Sequence, residues 1–241
     1  MKIRLFGGGQ GSGNFRHKGR PGYVGGSGQG DQDAIFKEWY LNWETNPIQD
    51  DVRNLDRQFE KRGFQKNEIV TELSRRSGIE YSVVNEFIRE WTNIGSSGVY
   101  AIHLDAAQEF GFDANDFIKS RANPSFDSDT SRRILRAMYE YTQETLPDFD
   151  TVTLYRAIGT RKIGMPGDRL RMNINPLSSW AFTKEALDYF VSRNYGRDMV
   201  LVKAEIPRSQ ILGTARTGFG ALHEYEIIVL SQPNIDVEVI K

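Results

Sequence analysis

The sequence predicts an α+β protein, an N-terminal helical lobe packed on a mostly antiparallel, two-sheet β core, and three observations predict it. Apolar residues recur at helical spacing between Asp31 and Leu146. After Pro147 the period switches to two, in short β-branched runs separated by turn residues. A single helical segment, Lys184–Arg193, interrupts those runs, too few helices for repeated βαβ units and a parallel sheet. At 241 residues, with 39% hydrophobic and 12% aromatic residues, the chain has enough apolar material for a substantial core.

The chain divides into an arm over 1–30, a helical lobe over 31–147 and a β-rich core over 148–241, with 31–241 forming one domain. Residues 7–30 are nearly half glycine, so ordering them costs backbone entropy with almost no apolar burial in return. The arm is therefore expected to be flexible. It carries Lys2, Arg4, Arg16, Lys18 and Arg20 and no acid, which makes it a candidate anchor for an anionic or virion partner. Its glycines form neither a G-x-G-x-x-G nor a G-x-x-x-x-G-K-[ST] pattern, so no dinucleotide fingerprint or P-loop is read there. Asn14-Phe-Arg-His-Lys-Gly-Arg-Pro-Gly-Tyr-Val-Gly-Gly-Ser27 resembles a glycine-rich segment that recurs in phage head-morphogenesis and mobile-element proteins, a likeness of context and not of chemistry. A plain linker is the other reading.

In the helical lobe, Ile35, Trp39, Leu41 and Trp43 begin a first amphipathic segment and Val52, Leu55 and Phe59 mark a second. Ile69 and Leu73, then Val83, Val84, Phe87, Ile88 and Trp91, follow the same rule. Breaks fall at Asn46-Pro47, Gly63, Gly78, 95–98 and Asn123-Pro124. The stretch Asp127-Ser-Asp-Thr130 is placed to cap a helix over Ser131–Thr145, whose inward stripe is Ile134, Leu135, Met138 and Tyr141. Strands are predicted over Thr151–Ile158, Leu177–Phe182, Met199–Ile206, Glu224–Leu230 and Ile235–Ile240.

Composition excludes several classes. A net charge of −1 and a pI near 6.3 give no global drive toward nucleic acid. Without cysteine there is no disulfide framework, thiol catalysis or Cys-ligated zinc, and His17, His103 and His223 are too scattered to suggest a metal triad. No metal site is expected. There is no apolar run of 18 residues, and Met1–Phe6 is too short for a signal-peptide core, so the expectation is no membrane contact and a cytoplasmic chain unless a secretion or virion route exports it.

Within the β core, three segments stand in order. Arg156 lies near the end of a strand, Ser178-Ser179-Trp180 begins the next, and Glu224-x-Glu226 opens a later one, with 23 residues from Arg156 to Ser179 and 47 from Ser179 to Glu226. Strand alternation puts Glu224 and Glu226 on one face. Arginine, serine and paired glutamates on separate strands resemble the R-S-E class of mono-ADP-ribosyltransferases, the group of clostridial exoenzymes, iota-like binary toxins and vertebrate arginine-specific ectoenzymes, and the likeness extends over 130–241. It implies an ADP-ribosyltransferase core, NAD as co-substrate with no metal, and ADP-ribose transfer to a host macromolecule in the bacterial cytoplasm, after virion delivery in one version. The acceptor it implies is an arginine of a host protein, with RNA as the other acceptor class.

The resemblance also assigns roles. Glu226 binds the ribose 2′-hydroxyl, Glu224 orients and deprotonates the acceptor, and Arg156, Ser178 and Phe182 contact NAD. Many members have Ser-Thr-Ser where this chain has Ser178-Ser179-Trp180, so Ser179 is the first choice for the serine that positions Glu226, and Ser178 the second. Phe219 matches an aromatic in the loop before the glutamates, where it either engages the acceptor or packs the loop. The residue types suit the chemistry independently. Cleaving nicotinamide from ribose breaks an N-glycoside with a cationic leaving group, so it needs a carboxylate to stabilise oxocarbenium character and no general acid. Arginine grips a pyrophosphate in bidentate fashion where lysine offers a point charge. Two other functions fit the sequence, an NAD glycohydrolase on the same fold and a non-catalytic virion or packaging protein that uses the basic arm.

Overall fold

The computed structural model describes residues 28–41, 63–92, 96–159, 165–187, 199–219, 226–231 and 234–240. Helices α1 (Gln29–Leu41), α2 (Gly63–Ser77), α3 (Tyr81–Thr92), α4 (Ser97–Phe110), α5 (Asp116–Arg121) and α6 (Ser128–Thr145) precede strands β1 (Thr151–Gly159), β2 (Arg169–Met172), β3 (Leu177–Ala181), β4 (Met199–Pro207), β5 (Ile211–Thr214), β6 (Glu226–Leu230) and β7 (Ile235–Val239). The class is α+β, as the change of period at Pro147 predicts. Helix starts follow ordinary capping chemistry: the Ser96, Asn115 and Asp127 side chains accept from the Val99, Ile118 and Thr130 amides.

All strand pairs are antiparallel, in the order β2-β7-β4-β1-β3-β6-β5. The sequence predicts two sheets, and the strands instead form one seven-stranded sheet, though its middle is thin. β1 and β4 pair along nine positions and β3 and β6 along five, whereas β1 and β3 pair at Tyr155↔Ala181 alone. The sheet therefore consists of a four-strand half and a three-strand half hinged on one residue pair. Both halves contribute to one apolar layer, in which Val152, Leu154, Ala204, Ile206 and Val237 of the first half meet Trp180, Ile211, Ile227 and Val229 of the second. The opposite side of the three-strand half, through Leu177, Leu212, Ile228 and Leu230, packs on Leu73, Phe87, Ile102, Leu135 and Met138 of the helical lobe.

Where β1 and β3 part, their facing edges need partners other than each other. On β1 the Thr151 and Thr153 amides donate to Gln32 Oε1 (3.0 Å) and Asp33 Oδ1 (2.7 Å), so odd-numbered residues turn their backbone groups toward β3. Gln32 Oε1 also accepts from the Asp150 amide, and Gln29 Nε2 donates to the Thr151 carbonyl. Three side chains of α1 thus do for this edge what a strand would do. Phe36 and Tyr40 of the same helix are fully buried, packed on Phe149 and Phe182.

Several expectations need correction. α1 begins at Gln29, inside the stretch assigned to the arm, and Gln29 belongs to the folded domain through Thr151. Its inward stripe is Phe36 and Tyr40, one position on from the predicted Ile35 and Trp39, because the polar residues that cap β1 fix the helix rotation. α4, β2 and β5 are not predicted: β2 and β5 are four residues each, too short to show a period, and α4 is apolar on most sides. The segment Val52–Phe59, and the part of Lys184–Arg193 beyond 187, lie outside the described residues. Among the described residues no helix is long and apolar enough to cross a membrane.

Deleting residues 1–27 removes none of the described contacts, whereas deleting 1–41 strips the caps from β1 and takes Phe36 and Tyr40 out of the core. Urea unfolding is expected to give a stability within ~0.5 kcal/mol of the full chain for the first deletion. The second should cost more than ~3 kcal/mol, the scale of one buried aromatic. Equal losses would assign the arm a structural role.

Candidate active site

The hinge pair sits at the centre of the three predicted motifs. In sheet order β1-β3-β6, the row Tyr155↔Ala181↔Glu226 crosses all three strands, with Arg156 next to its first member and Ser179 two residues before its second. Directly opposed residues project to the same side, so Ser179 (opposite Ile228), Ala181 and Glu226 share the side that faces the helical lobe. Ser178 and Trp180 project into the apolar layer, as does Arg156, which follows Leu154 in phase. Beyond the hinge pair, β1 and β3 diverge into a wedge. By the same alternation the backbone groups of Ala157 and Ser179 face each other across it, without a strand partner on that side.

Arg156 is the dominant charge in this wedge. Its guanidinium lies 5.7 Å from the Trp180 ring centre, and its Nη1 is buried with no hydrogen-bond partner among the described residues. Burial lowers the guanidinium pKa to about 10, and the Glu226 carboxylate opposes that shift, so the group stays charged at neutral pH. Glu226 is itself 8% exposed at the first position of β6. Arg156 and Glu226, on strands that do not pair with each other, therefore stand on opposite sides of the sheet yet near enough for their charges to interact.

His103, on α4, completes the wedge and was considered in the sequence only as a metal ligand. Its Nδ1 accepts from the Leu177 amide at 3.2 Å, the first N–H of β3 and one of those that turn toward β1. An Nδ1 acceptor places the ring proton on Nε2. Burial, and then the positive charge of Arg156, push the imidazole down to about 4, so it is neutral over the physiological range. The sequence holds no cue to this contact, because its partner is a backbone amide 74 residues away.

The remaining predicted residues have assorted fates. Ser178 is buried, its hydroxyl accepting from Trp180 Nε1 at 2.9 Å and directed at the Val229 carbonyl, so it is committed to the core and is not presented to a ligand. Phe182 packs against Phe36 and Tyr40 and is largely buried. Phe219 is fully buried, stacked between Phe87 (5.4 Å) and Trp91 (4.8 Å). Of its two readings, packing holds, because the helical lobe offers an aromatic slot that a solvent-facing ring would leave empty. Thr217, two residues earlier, accepts from Thr142 at 2.7 Å, and Arg216 lies over the Tyr40 ring at 5.7 Å. The loop that leads toward the glutamates is thus pinned on both sides. Glu224 lies outside the described residues.

A groove of about 730 Å³ lies elsewhere, on the outer side of the four-strand half, lined by Thr153, Lys203, Glu205, Asp236 and Glu238 among others. Its charges neutralise one another across strands, as in Lys203–Glu238 (3.2 Å) and Arg171–Asp236 (2.9 Å), and no apolar or convergent polar group distinguishes it from a solvated sheet surface. Among the described residues no group of three or more His, Cys, Asp or Glu is arranged to hold a metal ion.

Phe219→Ala should cost ~3–5 kcal/mol in urea unfolding, as for any fully buried aromatic, and unchanged stability would return Phe219 to the acceptor role. The depressed His103 pKa makes stability depend on pH. The unfolded imidazole takes up its proton near pH 6.5 and the folded one only near 4, so this contribution is intact above 6.5 and lost as pH falls toward 4. Between pH 7 and pH 5 the loss should be about 2 kcal/mol relative to His103→Asn, which does not titrate.

No family model matches the chain, nor does any curated protein or solved structure, so the candidate site rests on its own geometry.

Proposed function

We propose that the protein is a mono-ADP-ribosyltransferase that cleaves NAD at the nicotinamide–ribose bond and passes ADP-ribose to a host macromolecule, with an arginine side chain of a protein as the acceptor. The observation that carries this reading is the placement of Arg156, Ser179 and Glu226 on three adjacent strands within two positions of a single hinge pair, with a buried guanidinium nitrogen that has no partner among the described residues. A dinucleotide supplies what that nitrogen lacks: a pyrophosphate oxygen that accepts a charge-assisted hydrogen bond. Ala157 and Ser179 add backbone donors and acceptors in the wedge, of the kind a carboxamide takes up.

In this reading the bond between ribose C1′ and the nicotinamide nitrogen breaks and its electron pair leaves with nicotinamide, which departs neutral. Positive charge develops on the sugar, and Glu226, buried and adjacent, stabilises it more in the transition state than in the ground state. Ser179, on the same side of the sheet as Glu226, steadies that carboxylate. Of the two serines, Ser178 is already engaged in the core, which leaves Ser179 for the role. The acceptor nitrogen then bonds to C1′ and gives its proton to Glu224. A second reading, NAD glycohydrolysis with water as the acceptor, draws on the burial of Phe219, which removes the one aromatic nominated to hold a macromolecular acceptor.

Etheno-NAD or radiolabelled NAD incubated with host lysate tests both. Glu226→Gln should lower hydrolysis and transfer together by roughly 10²-fold or more. Glu224→Gln should abolish transfer and spare most hydrolysis, and Arg156→Lys should raise the apparent KM for NAD, because charge is kept while the planar fork is lost. Hydrolysis without label transfer selects the glycohydrolase, and wild-type turnover no greater than that of Glu226→Gln would overturn both readings.

A further inference from the structure

We infer that His103 is a positioning residue of the Arg156–Ser179–Glu226 site, holding the serine strand in place through its acceptor Nδ1. Its catalytic consequence rests on the transferase reading, but the placement stands on three geometric facts. First, among the described residues β3 pairs with β1 only at Ala181, and the start of its edge is held by the Leu177 amide donating to His103 Nδ1. Ser179 is two residues further along the same edge. Second, the imidazole is buried and held from the far side by Trp91, 5.6 Å between ring centres, and Trp91 in turn stacks on Phe219. One pair of helices therefore fixes both the serine strand and the loop that leads toward the glutamates. Third, the Trp91 ring and the Leu177 amide that hold His103 carry no charge.

The acceptor role demands neutrality. A protonated imidazole would present N–H at both ring positions, turning the Leu177 contact donor to donor and placing a second cation beside Arg156. Loss of the acceptor frees the start of β3, and the site loses the alignment of Ser179 with Glu226 and the fit of Arg156 to an anion. Positioning of this kind is read in substrate affinity as much as in turnover.

The test uses the full chain in three forms, wild type, His103→Asn and His103→Leu, with folding checked by thermal melts. Leucine fills the space but cannot accept, and NAD hydrolysis by that variant should lose about tenfold or more in kcat/KM, with the larger share in KM. Asparagine returns an acceptor oxygen near the place of Nδ1 and should recover activity to within about threefold of wild type. Folded His103→Leu with wild-type kinetics, or folded His103→Asn as impaired as His103→Leu, overturns the inference. An activity-independent measurement separates it from the transferase reading: imidazole ¹⁵N shifts should show a neutral Nε2–H ring at pH 6, and Arg156→Gln should raise the pH at which that ring titrates. If NAD is not turned over at all, the transferase reading fails and these shifts alone decide whether His103 holds the strand. An Nδ1–H tautomer, or a titration indifferent to Arg156, would overturn its placement.

Discussion

The structure depends on one residue pair. Among the described residues Tyr155 and Ala181 are the sole register contact between two halves of a sheet whose other neighbours pair along two to nine positions. A continuous ladder there would have placed Ala157 opposite Ser179 and consumed their backbone groups in sheet hydrogen bonds. Because the ladder stops, the sheet folds over a common apolar layer, and the site lies where its two halves come apart. A site of this kind is built from edges that secondary structure would otherwise close.

Open edges cost stability when they are buried, since an unpaired amide away from water loses its hydrogen bond outright. The chain meets that cost with helix side chains. On one side of the hinge, Gln29, Gln32 and Asp33 of α1 take the β1 edge; on the other, His103 of α4 takes the start of the β3 edge. The first set closes its edge completely and sits beside an aromatic cluster, which makes it part of the scaffold. The second is a single acceptor, and among the described residues Ala157 and Ser179 have no register pair with each other across the wedge. The asymmetry separates the supporting end of the hinge from the end that holds the candidate site.

Legibility in the sequence follows the range of the interaction concerned. Periodicity is local, so the helical lobe, the switch at Pro147 and the cap at Asp127 could be read directly, and the order Arg156, Ser179, Glu226 was visible because each stands in a recognisable strand. The hinge was not visible, since nothing in Leu154–Ile158 or Leu177–Ala181 says that their ladder will end after one pair; that outcome is decided by what both halves bury. For the same reason α1 was rotated by one position in the sequence reading, its polar face being fixed by amides more than a hundred residues away. The sequence leaves Phe219 open between two readings because a glycine-bounded aromatic in a loop looks the same whether it points to solvent or into a slot between Phe87 and Trp91.

The slot also changes the meaning of the glycines around it. A Cβ at Gly218 would lie 2.5 Å from Met138, and one at Gly213 would lie 2.9 Å from the same side chain, which is itself fully buried in the helical lobe. These positions are small because α6 packs directly on the turn, and not because the turn needs freedom to move. Together with Thr217 on Thr142 and Arg216 over Tyr40, they fix the path of the chain up to Phe219. Electrostatic stabilisation of a developing sugar cation works only if the carboxylate does not have to reorganise when the charge appears. Were Glu226 to act in the proposed reaction, the ladder of β6 with β3 would hold it in this way, since it is the first residue of β6 and stands opposite Ala181.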